Sequence, residues 1–197
     1  MRILYYTTYD QGIGADRWIA QGYRDAFEEL GHAFFTSESE RFNLAKKLDD
    51  VRPDILIFPP EAVRGQDILD AIERAHKHST ATFVFADEYF EEKLAIISAL
   101  EKLKVVDVYY GYYAPESMAH FEQIVKKPYH LIPLAANHKL HTPIPPDERY
   151  RADISFIGNR LHTKEAIFRK LLFPLMKKYQ VALYGPNWTL KDKVLRA

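Results

Sequence analysis

Short apolar runs alternate along the chain with longer stretches whose apolar positions recur every three or four residues. Residues 2–8 (RILYYTT) are aliphatic and aromatic and predict a buried strand. Asp16 is placed to cap a helix running to about Leu30, with Trp18, Ile19, Gly22, Tyr23, Ala26, Phe27 and Leu30 as its expected buried stripe. Gly31 is the expected stop. A second strand is expected over 32–37 and a helix over 42–51, ending before Pro53. The third strand, 54–59 (DILIFP), is apolar enough to be covered on both faces. A helix over 67–78, a strand over 81–86, a helix over 96–103 and a strand over 105–110 continue the alternation. A helix over 115–125, with proline in its first turn, and a strand over 129–133 complete it.

Strands alternating with helices imply parallel pairing through right-handed crossovers. Six strands in residues 1–137 predict an α/β domain with a Rossmann-like, doubly wound parallel sheet. Residues 138–152 hold Pro143, Pro145 and Pro146 among charged neighbours and read as a linker. The rhythm then restarts with a strand over 153–157, a helix over 163–178 in which Pro174 predicts a kink, and a strand over 180–184. Residues 189–197 are expected to add one or two helical turns. One β-α-β unit cannot bury both faces of its strands, so residues 153–197 either extend the first sheet or begin a second Rossmann-like domain; the linker favours the partial start of a second domain.

Composition narrows the classes. Of 197 residues 47% are hydrophobic and 27% charged, close to an ordinary globular chain and unlike a disordered one. The absence of cysteine excludes a disulfide scaffold, a thiolate metal site and a thiol nucleophile, and fits a reducing compartment. No apolar run reaches the length of a membrane helix, and the N-terminus lacks the apolar stretch of a signal peptide, so a cytoplasmic location is expected. The 27 basic and 27 acidic side chains cancel, which argues against nucleic acid as a partner. Their distribution is uneven: residues 1–137 hold 15 Lys and Arg against 22 Asp and Glu, and residues 138–197 hold 12 against 5. The basic final third suits an anion such as a nucleotide diphosphate, or serves to pair with the acidic first part, or is a solvated face.

Ligands of open α/β sheets sit beyond the carboxyl ends of the strands, so those positions carry the candidate chemistry. After the first strand come Asp10, Gly12, Gly14 and Asp16. The two glycines allow close backbone approach near a helix N-terminus, but GIGADR lacks the third glycine of the dinucleotide fingerprint, and a plain turn is the alternative. Pro59, Pro60 and Glu61 follow the third strand, and Asp87, Glu88 and Tyr89 the fourth. Adjacent carboxylates there can act as a base or cap the next helix; capping is favoured for Glu88, and Asp87 stays open to either role. Tyr109, Tyr110, Tyr112 and Tyr113 surround Gly111; at least two are expected in the core, and the others can line a sugar or planar ligand. In the final third, Gly158, Asn159 and Arg160 stand between a strand and a helix, where helix amides and a guanidinium can hold a phosphate. Tyr184 and Gly185 close the next strand on the same side; two ordinary β–α turns are the alternative reading. The eight histidines show no metal-ligand spacing, and neither a Walker A sequence nor a G-x-S-x-G elbow occurs. No metal is expected.

Taken in order, these stretches resemble a known family. The RILYYTT strand with its glycine loop, FADEYF, VVDVYYGYY, HLIPLAAN before the proline-containing linker, then DISFIGNR and VALYGPNW are similar to the GT-B glycosyltransferases, and in detail to the glycosyltransferase-like proteins of the spore-maturation CgeB type. The resemblance covers nearly the whole chain and lies in the order of the motifs. It departs at Asp87-Glu88-Tyr89, where the family tends to have two acidic residues and a proline, and after VALYGPNW, where the family's C-terminal domain continues much further.

The resemblance implies that the chain is the N-terminal, acceptor-side portion of a nucleotide-sugar-dependent glycosyltransferase, weakly active or inactive by itself. It implies a nucleotide-diphosphate sugar as donor, a glycan or other molecule as acceptor, and no bound cofactor. Asp10 or Asp87 is then the general base, with Gly12, Gly14, Glu88 and Tyr112 on the acceptor side of the cleft expected between the two domains. Gly158, Asn159, Arg160, Tyr184 and Gly185 are the donor contacts. The alternative is a non-catalytic α/β ligand-binding or assembly module. A receiver-like regulator fits poorly, because its third strand should end in a phosphorylatable Asp and this one ends in Phe58-Pro59-Pro60.

Overall fold

The computed structural model describes residues 1–7, 16–36, 43–87 and 89–189. Asp10, Gly12, Gly14, Glu88 and the helical turns expected beyond residue 189 lie outside them. The chain divides into two compact units, Met1–Thr142 and Pro143–Ala197.

The first unit is a doubly wound, Rossmann-like α/β layer. Its elements are β1 (Arg2–Tyr5), α1 (Asp16–Glu29), β2 (Ala33–Thr36), α2 (Leu44–Val51), β3 (Ile55–Phe58), α3 (Gln66–Lys77), β4 (Ala81–Phe85), α4 (Leu94–Leu103), β5 (Val108–Gly111), α5 (Pro115–Val125) and β6 (Tyr129–Leu131). The six strands pair in parallel in the order β2-β1-β3-β4-β5-β6. Ile3 stands beside Phe34 and Ile55, and Phe83 beside Ile57 and Val108. Alternate side chains go to opposite faces. Leu4, Leu56, Phe58, Val84 and Tyr109 pack with the apolar faces of α2 to α5. Ile3, Tyr5, Phe34, Ile57 and Tyr110 pack with Ala20, Tyr23 and Phe27 of α1.

Local chemistry sets the element ends. Gly31 takes a φ of +77°, and its N–H donates to the Glu28 carbonyl while that of His32 donates to Phe27, closing α1. Asn43 caps α2 by accepting the Lys46 N–H at 2.9 Å. Two expectations are corrected here. Trp18, Ile19 and Leu30 are exposed, Trp18 by 52%, because α1 turns its Ala20–Tyr23–Phe27 side to the sheet. The fifth strand starts at Val108 instead of Val105, because Val105 closes α4 by donating its N–H to the Leu100 carbonyl at 3.3 Å.

The second unit contains β7 (Ile154–Ile157) and β8 (Val181–Tyr184), a parallel pair in a sheet of their own, with Ile154 beside Val181. The helix expected over 163–178 is not continuous. A 3₁₀ turn (His162–Lys164) leads into a short α6 (Glu165–Ile167), a π-helical turn (Phe168–Leu172) and another 3₁₀ turn (Leu175–Lys177). Pro174 has no N–H to continue the ladder, and the turn before it widens, with the Phe173 N–H reaching back to Phe168 at 2.9 Å. The wide turn carries Ile167 and Leu171 into solvent and seats Phe168, Leu172 and Met176 against Val181, Leu183 and Trp188.

Candidate functional site

The direction in which successive strands are added to the six-stranded parallel sheet reverses between β1 and β3, and the carboxyl edge of such a sheet is where this architecture binds ligands. Tyr6 and Thr7, just past β1, are buried. Past β3, a 3₁₀ turn (Pro60–Ala62) carries Glu61. Past β4 stands Asp87, and another 3₁₀ turn (Phe90–Lys93) delivers Lys93. The Lys93 ammonium lies 2.7 Å from Asp87 and 3.2 Å from Glu61, its side chain only 17% exposed. Burial works against its charge, but the hydrogen bond it donates to Asp87 and the charges of Glu61 and Asp87 prevail and hold Lys93 above the usual lysine range. The other Asp87 oxygen accepts the Tyr89 N–H at 3.0 Å. Asp87 itself therefore caps the turn after β4.

On the α1 side of the sheet, an open groove of about 520 Å³ runs between α1, the ends of β4 and β5, and residues 132–138. Trp18, Ile19, Gly22 and Ala26 form one wall, Phe85 and Tyr112 the strand-end wall, and Ile132 and Leu134 the third. Leu134 is 76% exposed, and Tyr112 stacks loosely on Phe85 and Tyr113 at centroid distances of 5.4 and 4.6 Å. The third wall is clasped to α1. Asn137 donates to Asp25 at 2.6 Å, with Gln21 donating to the other oxygen at 2.8 Å, and His138 lies 3.4 Å from Glu29. The Asn137 bond, with those of Gln21 and the charges of Lys139 and Arg24, holds the Asp25 carboxyl below the usual carboxylate range. Deeper in, the Tyr23 and Tyr110 hydroxyls meet at 3.0 Å, and burial raises both phenols.

Of the residues expected on the acceptor side, Tyr112 lines this groove; Asp87 does not. Of the four tyrosines around Gly111, Tyr109 and Tyr110 are buried in the core. Gly111 is required by crowding: a Cβ there would meet the Ala86 carbonyl oxygen and lie 2.6 Å from the Tyr129 hydroxyl.

In the second unit, Gly158 and Gly185 meet at the carboxyl ends of β7 and β8. Gly185 has a φ of +122°, and a Cβ on it would stand 2.9 Å from the Gly158 carbonyl carbon. The Gly158 N–H donates to Tyr184, the Arg160 N–H to Pro186 at 3.3 Å, and the Trp188 indole to the Gly158 carbonyl at 2.8 Å. The Arg160 guanidinium is 3.2 Å from Glu165 and lies over the Phe173 and Trp188 rings at 5.7 and 5.9 Å. Asn159 and Gly185 are exposed, and Tyr184 packs near Tyr150. The five expected donor-side residues thus share one end of this unit, with Arg160 engaged by an internal carboxylate.

Lys93 and Asn137 are not singled out by the sequence, and Gly22, expected in the buried stripe of the first helix, lines the groove. Lys93 carried a signal, since it stands six positions beyond Asp87 in DEYFEEK; Asn137, 112 positions from Asp25, carried none. A second cavity of about 640 Å³, bordered by Arg2, Arg52 and Arg74, lies at the amino edge of the sheet, away from the ligand-binding edge, and Arg74 there pairs with Asp49 at 3.3 Å. Among the described residues no helix is long and apolar enough to cross a membrane. Comparison with protein-family models and with curated proteins returns no match.

Proposed function

We propose that this chain is the acceptor-side domain of a nucleotide-sugar-dependent glycosyltransferase of the GT-B, CgeB-like type, joined to the opening β-α-β of the donor-side domain. The supporting observation is the groove at the carboxyl edge of the parallel sheet, the edge at which the doubly wound architecture accepts ligands, in a chain whose motif order resembles that family. In the reaction, an acceptor oxygen bonds to the anomeric carbon of the donor sugar. The bond from that carbon to the nucleotide diphosphate breaks, the diphosphate leaves with the electron pair, and the acceptor proton passes to a base, Asp10 or Asp87. Arg160 and the turn at Gly158, Asn159, Tyr184 and Gly185 are the proposed diphosphate contacts, and the cytoplasm is the proposed location.

One observation favours a second reading, a non-catalytic α/β ligand-binding module: Arg160 is engaged by Glu165. Calorimetric titration of the chain with UDP, GDP and ADP separates the two. Saturable heat with at least one nucleotide, weakened in Arg160→Ala, is expected for the enzyme reading. No heat with all three would remove it. Transfer from the corresponding nucleotide sugars by this chain is expected to be slow or undetectable.

A further inference from the structure

We infer that the groove beside α1 takes the uncharged, apolar, ring-bearing body of a small hydroxyl compound, an acceptor class more like an aromatic alcohol than a glycan; the word acceptor rests on the sugar-transfer reading above.

The volume, about 520 Å³, falls within the range of small-molecule sites, roughly 300–1,000 Å³. Its walls expose Trp18, Ile19, Tyr112, Ile132 and Leu134 together, although apolar side chains exposed singly would need no explanation. Gly22 adds a separate point. It sits inside α1, where glycine weakens a helix, yet a Cβ there would meet nothing within 4 Å. Packing does not require this glycine; its missing side chain keeps the groove deep.

The polar groups of the lining decide the character of the occupant. Asp25 is held by Asn137 and Gln21, with Lys139 and Arg24 offsetting its charge, and Glu29 faces His138. The Tyr23 and Tyr110 hydroxyls bond each other, and His141 bonds the Asn137 carbonyl at 3.1 Å. Lys139 and Arg24 already offset Asp25, and Glu29 adds a further carboxylate, so an anion entering the groove would lose hydration without gaining a counter-charge and an uncharged guest is favoured over it. A glycan would bring many hydroxyls to a groove walled by Trp18, Ile19, Tyr112, Ile132 and Leu134, whose Asp25, Tyr23 and Tyr110 side chains already bond within the protein, and each hydroxyl left unpaired costs free energy.

The test uses the full chain and three probes: naphthol, naphthoate with the same rings and one negative charge, and maltotriose. Calorimetry is expected to show naphthol binding at least about tenfold tighter than either of the others. Gly22→Leu, whose Cβ would meet nothing within 4 Å and whose side chain extends into the groove from α1, is expected to weaken naphthol by about tenfold or more while thermal unfolding is unchanged or shifts upward. Trp18→Ser, at an exposed position, provides a second variant with the same expected direction. Maltotriose or naphthoate binding as well as naphthol, or naphthol binding untouched by both substitutions, overturns the inference. So does a dimer in sedimentation that Gly22→Leu abolishes, since a second copy would then fill the groove. Naphthol binding without any nucleotide binding supports the groove assignment and retires the sugar-transfer reading; nucleotide binding without naphthol binding does the reverse.

Discussion

Asn137 donates its side-chain N–H to the Asp25 carboxylate at 2.6 Å, joining the segment after the last strand of the sheet to the first helix. That bond is the first cause of the lowered Asp25 pKa. Its removal in Asn137→Leu is expected to move the Asp25 titration up toward the ordinary carboxylate value, read by NMR of the side-chain carboxyl. The sign for stability follows from the direction. A carboxyl lowered in the folded state stabilises above its unfolded pKa of 3.8, and that contribution fades as pH falls through the folded value. Asn137→Leu is therefore expected to lose the part of the acid-side dependence that Asp25 supplies. An unmoved Asp25 titration would show that the clasp is not formed in solution.

Two glycines of the first unit are expected to respond in opposite directions to one added methyl group. At Gly111 the methyl collides with the Ala86 carbonyl and the Tyr129 hydroxyl, and Gly111→Ala should cost about 1–3 kcal/mol by urea unfolding. At Gly22 it meets only space, and Gly22→Ala should stabilise by about 0.5–1 kcal/mol through helix propensity. Equal effects at both sites would mean that the tight packing of β5 against Tyr129 is not as described.

The order and kind of the elements were legible because the sheet is buried on alternating faces and each helix has a clear apolar stripe. The helix over 115–125 was read to its ends, since Pro115 starts it and its buried positions, Met118, Phe121 and Val125, repeat at helical spacing. The site was less legible for a physical reason. Pattern reading equates apolar with buried, so Trp18 and Ile19 were assigned to the core, whereas they wall a groove. Periodicity also cannot show a turn that widens before Pro174, where the apolar Ile167 and Leu171 face solvent. Of the two roles left open for Asp87, the structure shows capping, since its carboxylate accepts the Tyr89 N–H.

Lys93 is the cation between Glu61 and Asp87, and Lys93→Met leaves two part-buried carboxylates facing one another. The expected cost near neutral pH is about 2 kcal/mol, below the 3–5 kcal/mol of a fully buried pair because the cluster keeps some contact with water. Since the Lys93 pKa is raised in the folded state, its contribution is complete below the unfolded lysine value of 10.5 and is lost as pH rises through the folded one. Urea unfolding of both proteins at neutral and strongly alkaline pH is the measurement. The gap between them should narrow on the alkaline side, and a gap that stays constant would mean that the Lys93 charge is not what stabilises the turn.

Glu165 occupies the guanidinium that the nucleotide reading assigns to a diphosphate, with Arg160 Nη2 at 3.2 Å and Arg169 Nε at 3.1 Å from its oxygens. An incoming phosphate must displace this carboxylate, and both present planar pairs of oxygens to the same fork. Glu165→Gln removes the competing charge while leaving Arg160 over the Phe173 and Trp188 rings, so the fork keeps its place. Affinity for UDP, GDP or ADP, whichever binds, should then rise by about threefold to tenfold by calorimetry, corresponding to roughly 0.7–1.4 kcal/mol. The double substitution with Arg160→Ala should abolish that gain, because the effect of position 165 passes through the guanidinium. A gain that survives loss of Arg160 would place the anion elsewhere on this basic unit, and no gain at all would identify the Arg160–Glu165 pair as a brace for the turn before Pro174 and not as a phosphate contact.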